Sequence, residues 1–250
     1  MREILTSLAI NLFAGILIFL VGLFWPLIPK SLNKFRLMRF WGKAVFGNNL
    51  VISYGTLIDS RLVQPNPPQF RFIKRYHSSP PIQITGPFGN IVGDCEIRSA
   101  SYIINALSTY RKKAVNVMDD QTAFSNLNRT YIALGSPSSN EISSVAMNEP
   151  NNNFLYFLHQ PNAVYIVDKQ TNKRFTAANK DYGLILKIPN LRFPPHFFFV
   201  CAGLGEWGTS GASWYLASKW RELQKEFDKG FGIVVEVDIG SDESARRVFP

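Results

Sequence analysis

Five acidic residues lie where one fold could gather them. Asp94 and Glu96 fall in the run Gly93-Asp94-Cys95-Glu96, Asp119 and Asp120 are adjacent, and Glu206 sits inside a glycine-rich run. Carboxylates beside a small-molecule pocket can serve as nucleophile or general base, and cleavage of an N-glycosidic bond is chemistry such a set could perform. Asp94, Glu96 and Glu206 are the catalytic candidates. Arg98 could pair with Asp94 or Glu96, or with a ligand phosphate. The chain shows no Ser-His-Asp order, no G-x-S-x-G elbow and no G-x-x-x-x-G-K-[ST] loop, so acyl transfer and P-loop chemistry have no support.

Small, hydroxyl-bearing turns accompany these acids. Gly55 follows an apolar run, Gly135-Ser136-Pro137-Ser138-Ser139-Asn140 follows another, and Gly203-Leu204-Gly205-Glu206-Trp207-Gly208-Thr209 follows a third. Backbone amides at helix N-termini can hold an anion. The binding candidates are therefore Gly55, Asp119, Gly135, Ser136, Ser139, Asn140, Gly203, Gly205, Glu206, Gly208 and Thr209. Two structural roles compete. The glycines also permit a tight turn and close helix–strand packing, and Ser136, Ser139 and Asn140 are good N-caps.

Gly203, Gly205 and Gly208 match G-x-G-x-x-G after an expected strand and before an expected helix. No second βαβ half can follow so near the C-terminus, so no NAD, FAD or other cofactor is expected. Glu236 or Asp238 could meet a ribose, Trp207 could stack on a base, and Asp181-Tyr182-Gly183 could close the site. His77, His159 and His196 are isolated, and no metal site is expected. Cys95 and Cys201 read as free thiols in a reducing compartment.

These residues need an alternation of strand and helix to position them. Leu50–Leu57, Ala114–Met118, Thr130–Gly135, His196–Ala202 and Phe231–Val237 read as apolar strands. Gly93–Arg111 has helical spacing with Asp94 as N-cap, SPSSNEISSVAM opens a second helix, and Ala212–Phe227 forms a third. Gln64–Pro87 is a Pro-rich excursion with a hairpin around Gln69–Tyr76. Phe154–Leu158, Ala163–Val167 and Gly183–Ile188 read as antiparallel additions. The fold class is α/β: a Rossmann-like three-layer sandwich with a mostly parallel sheet and a β-rich insertion.

Residues Ile4 to Pro29 carry no charge, whereas Lys30 to Lys43 carry Lys30, Lys34, Arg36, Arg39 and Lys43 and no acid. An apolar stretch of this length can cross the roughly 30 Å hydrocarbon core as one helix. Basic flanks stay in the cytoplasm. The expected organisation is a single-pass anchor at 1–29, a basic juxtamembrane segment at 30–48 and a cytosolic domain at 49–250 on the inner membrane. Phe35, Leu37, Met38, Phe40 and Trp41 would make the segment an amphipathic helix on anionic lipid. Of the net charge of +9, this stretch supplies five, and the remainder gives little reason to expect nucleic acid as a partner. The expected partners are a nucleotide-like small molecule, the bilayer through 4–29 and 30–43, and, left open, a second copy in a homo-oligomer.

The pair TYIALGSPSSN and FFFVCAGLGEWGTSGA resembles the Rossmannoid nucleotide-sensing group called SLOG, which includes LOG-type nucleotide phosphoribohydrolases. In the latter a Gly-Gly-x-Gly-Thr loop and a following glutamate hold and cleave the nucleotide. Gly205, Gly208 and Thr209 are the nearest matches, and Ala212-Ser213 stand where the glutamate is expected. A second resemblance is to nucleoside deoxyribosyltransferase-like domains, also carboxylate-driven. Both imply a nucleotide-binding domain, here one that signals at a membrane; the carboxylates imply a tethered N-glycosidase or nucleotide hydrolase as the alternative.

Overall fold

Strands with apolar residues on both sides must be covered on both sides. Thr130–Leu134, Phe197–Gly203 and Phe231–Asp238 are of this kind, with nearly every residue buried. A computed structural model describes residues 13, 16, 19, 27–56, 70–73, 82–85, 92–111 and 113–250. Along the chain these form α1 (Leu27–Trp41), a 3-10 turn (Lys43–Phe46), β1 (Leu50–Tyr54), β2 (Phe70–Ile73), β3 (Ile82–Thr85) and α2 (Asp94–Ser108). Next come β4 (Asn116–Asp119), α3 (Asp120–Phe124), β5 (Thr130–Leu134), α4 (Glu141–Met147), β6 (Leu155–Gln160), β7 (Ala163–Asp168) and β8 (Arg174–Phe175). The chain ends with β9 (Lys180–Pro189), β10 (Phe197–Gly203), α5 (Glu206–Glu226), β11 (Phe231–Asp238) and β12 (Ser241–Phe249).

The main sheet has seven strands in the order β12-β11-β9-β10-β5-β1-β4. β4, β1, β5 and β10 pair in parallel. β9 is antiparallel to β10 and β11, and β12 to β11, so five strands run one way and two the other. One face carries a cluster from α1, α2 and α5; the other carries α3, α4 and a separate sheet of β6, β7 and β8. Gly183–Ile188, expected as an antiparallel addition, is antiparallel to both its neighbours but belongs to β9 in the middle of the main sheet. Its run of buried residues needs cover on two sides. β2 pairs with β3, a wider hairpin than the sequence suggests, and the rest of the Gln64–Pro87 excursion, 64–69, 74–81 and 86–87, lies outside the described residues, as do 57–63 and 88–91.

The basic segment is more embedded than its charge implies. Leu37, Phe40 and Trp41 are fully buried, and Phe40 meets Trp41, Phe199, Trp220 and Phe231 at centroid distances of 5.0 to 6.1 Å. Burying each such side chain contributes about 1.5–3 kcal/mol, more than a surface position offers. The globular unit thus begins within α1, ahead of residue 49, and of the apolar face expected to lie on lipid, Leu37, Phe40 and Trp41 are core, Met38 is half-buried and Phe35 is exposed. Lys187, also buried, has its ammonium 4.8 Å from the Phe197 ring and 5.0 Å from that of Phe40, and burial pushes its pKa down to about 8. The stretch 4–29 lies outside the described residues except for helical Phe13, Ile16 and Phe19 and the first residues of α1. Among the described residues no helix is long and apolar enough to cross a membrane.

Candidate functional site

From β1 the chain passes to α2 on one face of the sheet; from β5 it passes to α4 on the other. Such a divergence opens a crevice at the carboxyl ends of the two strands. Gly55 and the Gly135–Asn140 turn meet there so closely that a Cβ on Gly55 would stand 2.3 Å from the Ser139 carbonyl oxygen. Gly135 has φ +104°, which L side chains rarely adopt, and a Cβ on it would be 2.8 Å from Ser139 Oγ and 3.5 Å from Glu96 Oε1. Glu96 therefore reaches over this turn from the first turn of α2. It is 5 % exposed, and its carboxylate accepts a hydrogen bond from the Cys95 thiol at 3.0 Å. Burial, and then the Glu96 charge, push the Cys95 thiol up, so it remains protonated and able to donate.

The other two catalytic candidates lie elsewhere. Asp94 is exposed and paired with Arg98; the N-cap of α2 is Gly93, not Asp94. Glu206 is exposed at the start of α5. Asp119 caps α3, accepting from the Thr122 amide at 2.8 Å and hydroxyl at 2.7 Å. Burial raises its pKa, but these bonds outweigh that and hold it below the usual range. Burial and the charges of Asp119 and Asp120 raise the neighbouring Tyr54 phenol.

The helix N-termini expected to hold an anion already hold side chains of this chain. At α4, Asn140 accepts from the Ile142 and Ser143 amides at 2.9 and 3.3 Å, and Asp120 accepts from the Glu141 amide at 3.0 Å. At α5, Asp181 accepts from Gly205 N at 3.0 Å and Gly208 N at 2.7 Å. The glycine run packs tightly: a Cβ on Gly208 would be 2.3 Å from the Tyr182 oxygen, and one on Gly203 the same distance from Thr209 N. Thr209 Oγ1 accepts from Gly203 N at 2.9 Å. Ser136 and Ser138 share a hydroxyl–hydroxyl bond of 2.8 Å. The packing and capping roles are thus filled.

Three further expectations change. Arg98 lies over the Trp207 ring at 4.4 Å, covering the face proposed for a base, and binds Asp242 at 2.9 Å. Glu236 and Asp238 pair with Lys180, and Glu236 also with Arg246, at the β9–β11–β12 end of the sheet. Asp181 does close the α5 turn, but as its cap. Buried Asp242, which accepts from Arg98, Tyr102 and Ser210, had no sequence signal: it stands in the charged run Ser241-Asp242-Glu243-Ser244. Cys95 as the Glu96 donor was legible only as a neighbour in sequence.

Beside the Ser136–Asn140 turn, a groove of about 660 Å³ runs between α4 and the β6–β7 sheet, lined in part by Pro137, Ser138, Tyr156, His159 and Lys169. Glu96 does not line it. Among the described residues no group of His, Cys, Asp or Glu could hold a metal ion. No protein-family model, curated protein or solved structure matches the chain. What remains is the chemistry of the crevice itself. Its end of the sheet carries Asp94, Glu96, Asp119, Asp120, Asp181, Glu206 and Asp242, with the nearby cation Arg98 already paired.

Proposed function

We propose that this is a Rossmann-like domain, tethered to a membrane by residues 4–29, that binds a nucleoside-like small molecule between β1 and β5 and meets it with Glu96. One observation carries the reading. Glu96 is a buried carboxylate over the Gly135 turn whose side-chain hydrogen bond comes from a thiol, a weak donor. A ligand hydroxyl or base N–H supplies a stronger one. The amides at both helix N-termini are occupied, and acids crowd this end. A neutral, hydroxyl-bearing part therefore suits the crevice better than bare phosphate, a refinement of the nucleotide expected from sequence. In this reading the domain senses the ligand and returns it intact.

The same carboxylate supports a second reading, an N-glycosidase in which Glu96 is nucleophile or base. The resemblance to deoxyribosyltransferase-like domains points the same way. Thermal unfolding of the full chain in detergent, against nucleosides, nucleotides and cyclic dinucleotides with product analysis, tests both. A ligand at a hundred times its Kd stabilises by about 2.7 kcal/mol. The expected result is a shift with a nucleoside that Glu96→Gln abolishes. Intact ligand favours sensing, and released base favours hydrolysis. A panel without any shift, or a shift that Glu96→Gln leaves unchanged, sinks the proposal.

A further inference from the structure

The opposite end of the sheet has the opposite charge. Five loops meet at the amino ends of the parallel strands, and contacts between them fix the group. Arg111 donates to the Gly47 carbonyl at 3.0 Å, the Thr130 amide to the Asn49 carbonyl at 2.8 Å, and the Asn190 side chain to the Leu127 carbonyl at 3.0 Å. Gly42 lies against Phe197, and Arg39 binds Asp228. From these loops project Lys43, Lys113, Arg129, Arg192 and Lys229, none with an ion pair among the described residues, together with exposed Leu191. Basic side chains without ion pairs, gathered at one end of the sheet with an exposed apolar residue, suit a negatively charged bilayer surface, although Leu191 and Arg192 also border a groove that carries Glu141 and Glu149.

We infer that this amino-end face docks on anionic lipid, so that the Glu96 crevice points away from the membrane. Charge complementarity is one argument; the path of the chain is the other. Helix α1, which follows the uncharged stretch, is locked into the core through Leu37, Phe40 and Trp41, and at this end its Lys34 lies over Phe46 while its Arg39 is paired with Asp228. No slack linker separates the stretch from the domain, so the domain is held close enough for its loops to reach headgroups. The orientation rests on the tether proposed above; the lipid affinity of the face does not.

The full chain, with Cys95 changed to Ser and buried Cys201 retained, is labelled with a fluorophore at Leu191→Cys or, at the opposite end, at Ser241→Cys. It is then mixed with vesicles carrying a headgroup nitroxide quencher. Flotation with phosphatidylcholine vesicles reports the tether separately. With phosphatidylserine present, the label at 191 is quenched and that at 241 is not, and raised salt reverses the quenching. Lys43→Glu and Arg192→Glu, both at exposed positions, each shift the docked-to-undocked ratio by at least about fivefold without changing the melting temperature. Equal quenching at the two ends, or quenching indifferent to phosphatidylserine, overturns the inference. So does tight binding of single-stranded RNA that these substitutions abolish, because the face then serves nucleic acid.

Discussion

Two turns with similar composition end neighbouring parallel strands, yet they do different work. The Gly203–Thr209 turn is shut: Asp181 takes its amides, Tyr182 and Gly183 press against it, and Arg98 covers Trp207. The Gly135–Asn140 turn is capped by Asn140 and Asp120 but remains lined by the Glu96 carboxylate and flanked by a groove. The difference lies in what arrives from distant sequence. A carboxylate that meets two amides completes a helix end. One that meets a thiol keeps an acceptor for something else.

Substitutions that break the comparison should differ in size. Asp181→Ala strips three amides, of Tyr182, Gly205 and Gly208, of a charged acceptor and should cost about 3 kcal/mol, read by denaturant unfolding. It should also open the α5 N-terminus, so that inorganic phosphate stabilises the variant and not the parent; no phosphate effect in either would mean that Asp181 does not occupy an anion position. Asn140→Ala loses a cap and two side-chain donations, to Ser53 and Leu134, for about 2 kcal/mol. Gly135→Ala forces a side chain into the left-handed region and against Ser139, at about 1 kcal/mol or somewhat more. Glu96→Gln should change stability least, because Gln keeps the side-chain shape and can still accept from the Cys95 thiol. It should still speed alkylation of Cys95 in mildly alkaline buffer, since the Glu96 charge and hydrogen bond both raise that thiol. An unchanged alkylation rate would break the Cys95–Glu96 link.

Several elements were legible because their reason is local. Thr130–Leu134, Phe197–Gly203 and Phe231–Asp238 fall within a residue of their expected places, and Leu50–Tyr54 starts where expected but ends three residues early, since apolar runs bounded by glycine or polar turns have few alternatives. Others were not. β12 reads as Ser-Asp-Glu-Ser-Ala-Arg-Arg, yet it forms an edge strand whose Arg246 and Arg247 reach Glu236 and Glu226, partners fixed only by the fold. Helix α5 begins at Glu206 rather than Ala212. Gly208 and Gly211 look like loop residues but lie in the helix, and they are glycines because β9 and Val237 pack against them too closely for a Cβ. Lys187 in a buried strand and the aromatic side of α1 are further cases in which tertiary burial outweighed polarity.

The sequence alone determined an α/β chain of alternating apolar strands and helices, the uncharged stretch at 4–29 with its basic flank, and the cluster of acids and small residues at strand ends. Periodicity and charge are written residue by residue, so these need no partner to be seen. Tertiary structure decided which of those acids is a cap, which is an ion-pair partner and which is buried against a neighbouring turn. That choice depends on what a carboxylate meets: Asp181 meets Gly205 and Gly208 across 24 and 27 residues of chain, whereas Glu96 meets its neighbour's thiol, nearby Gly93 and the turn of another strand.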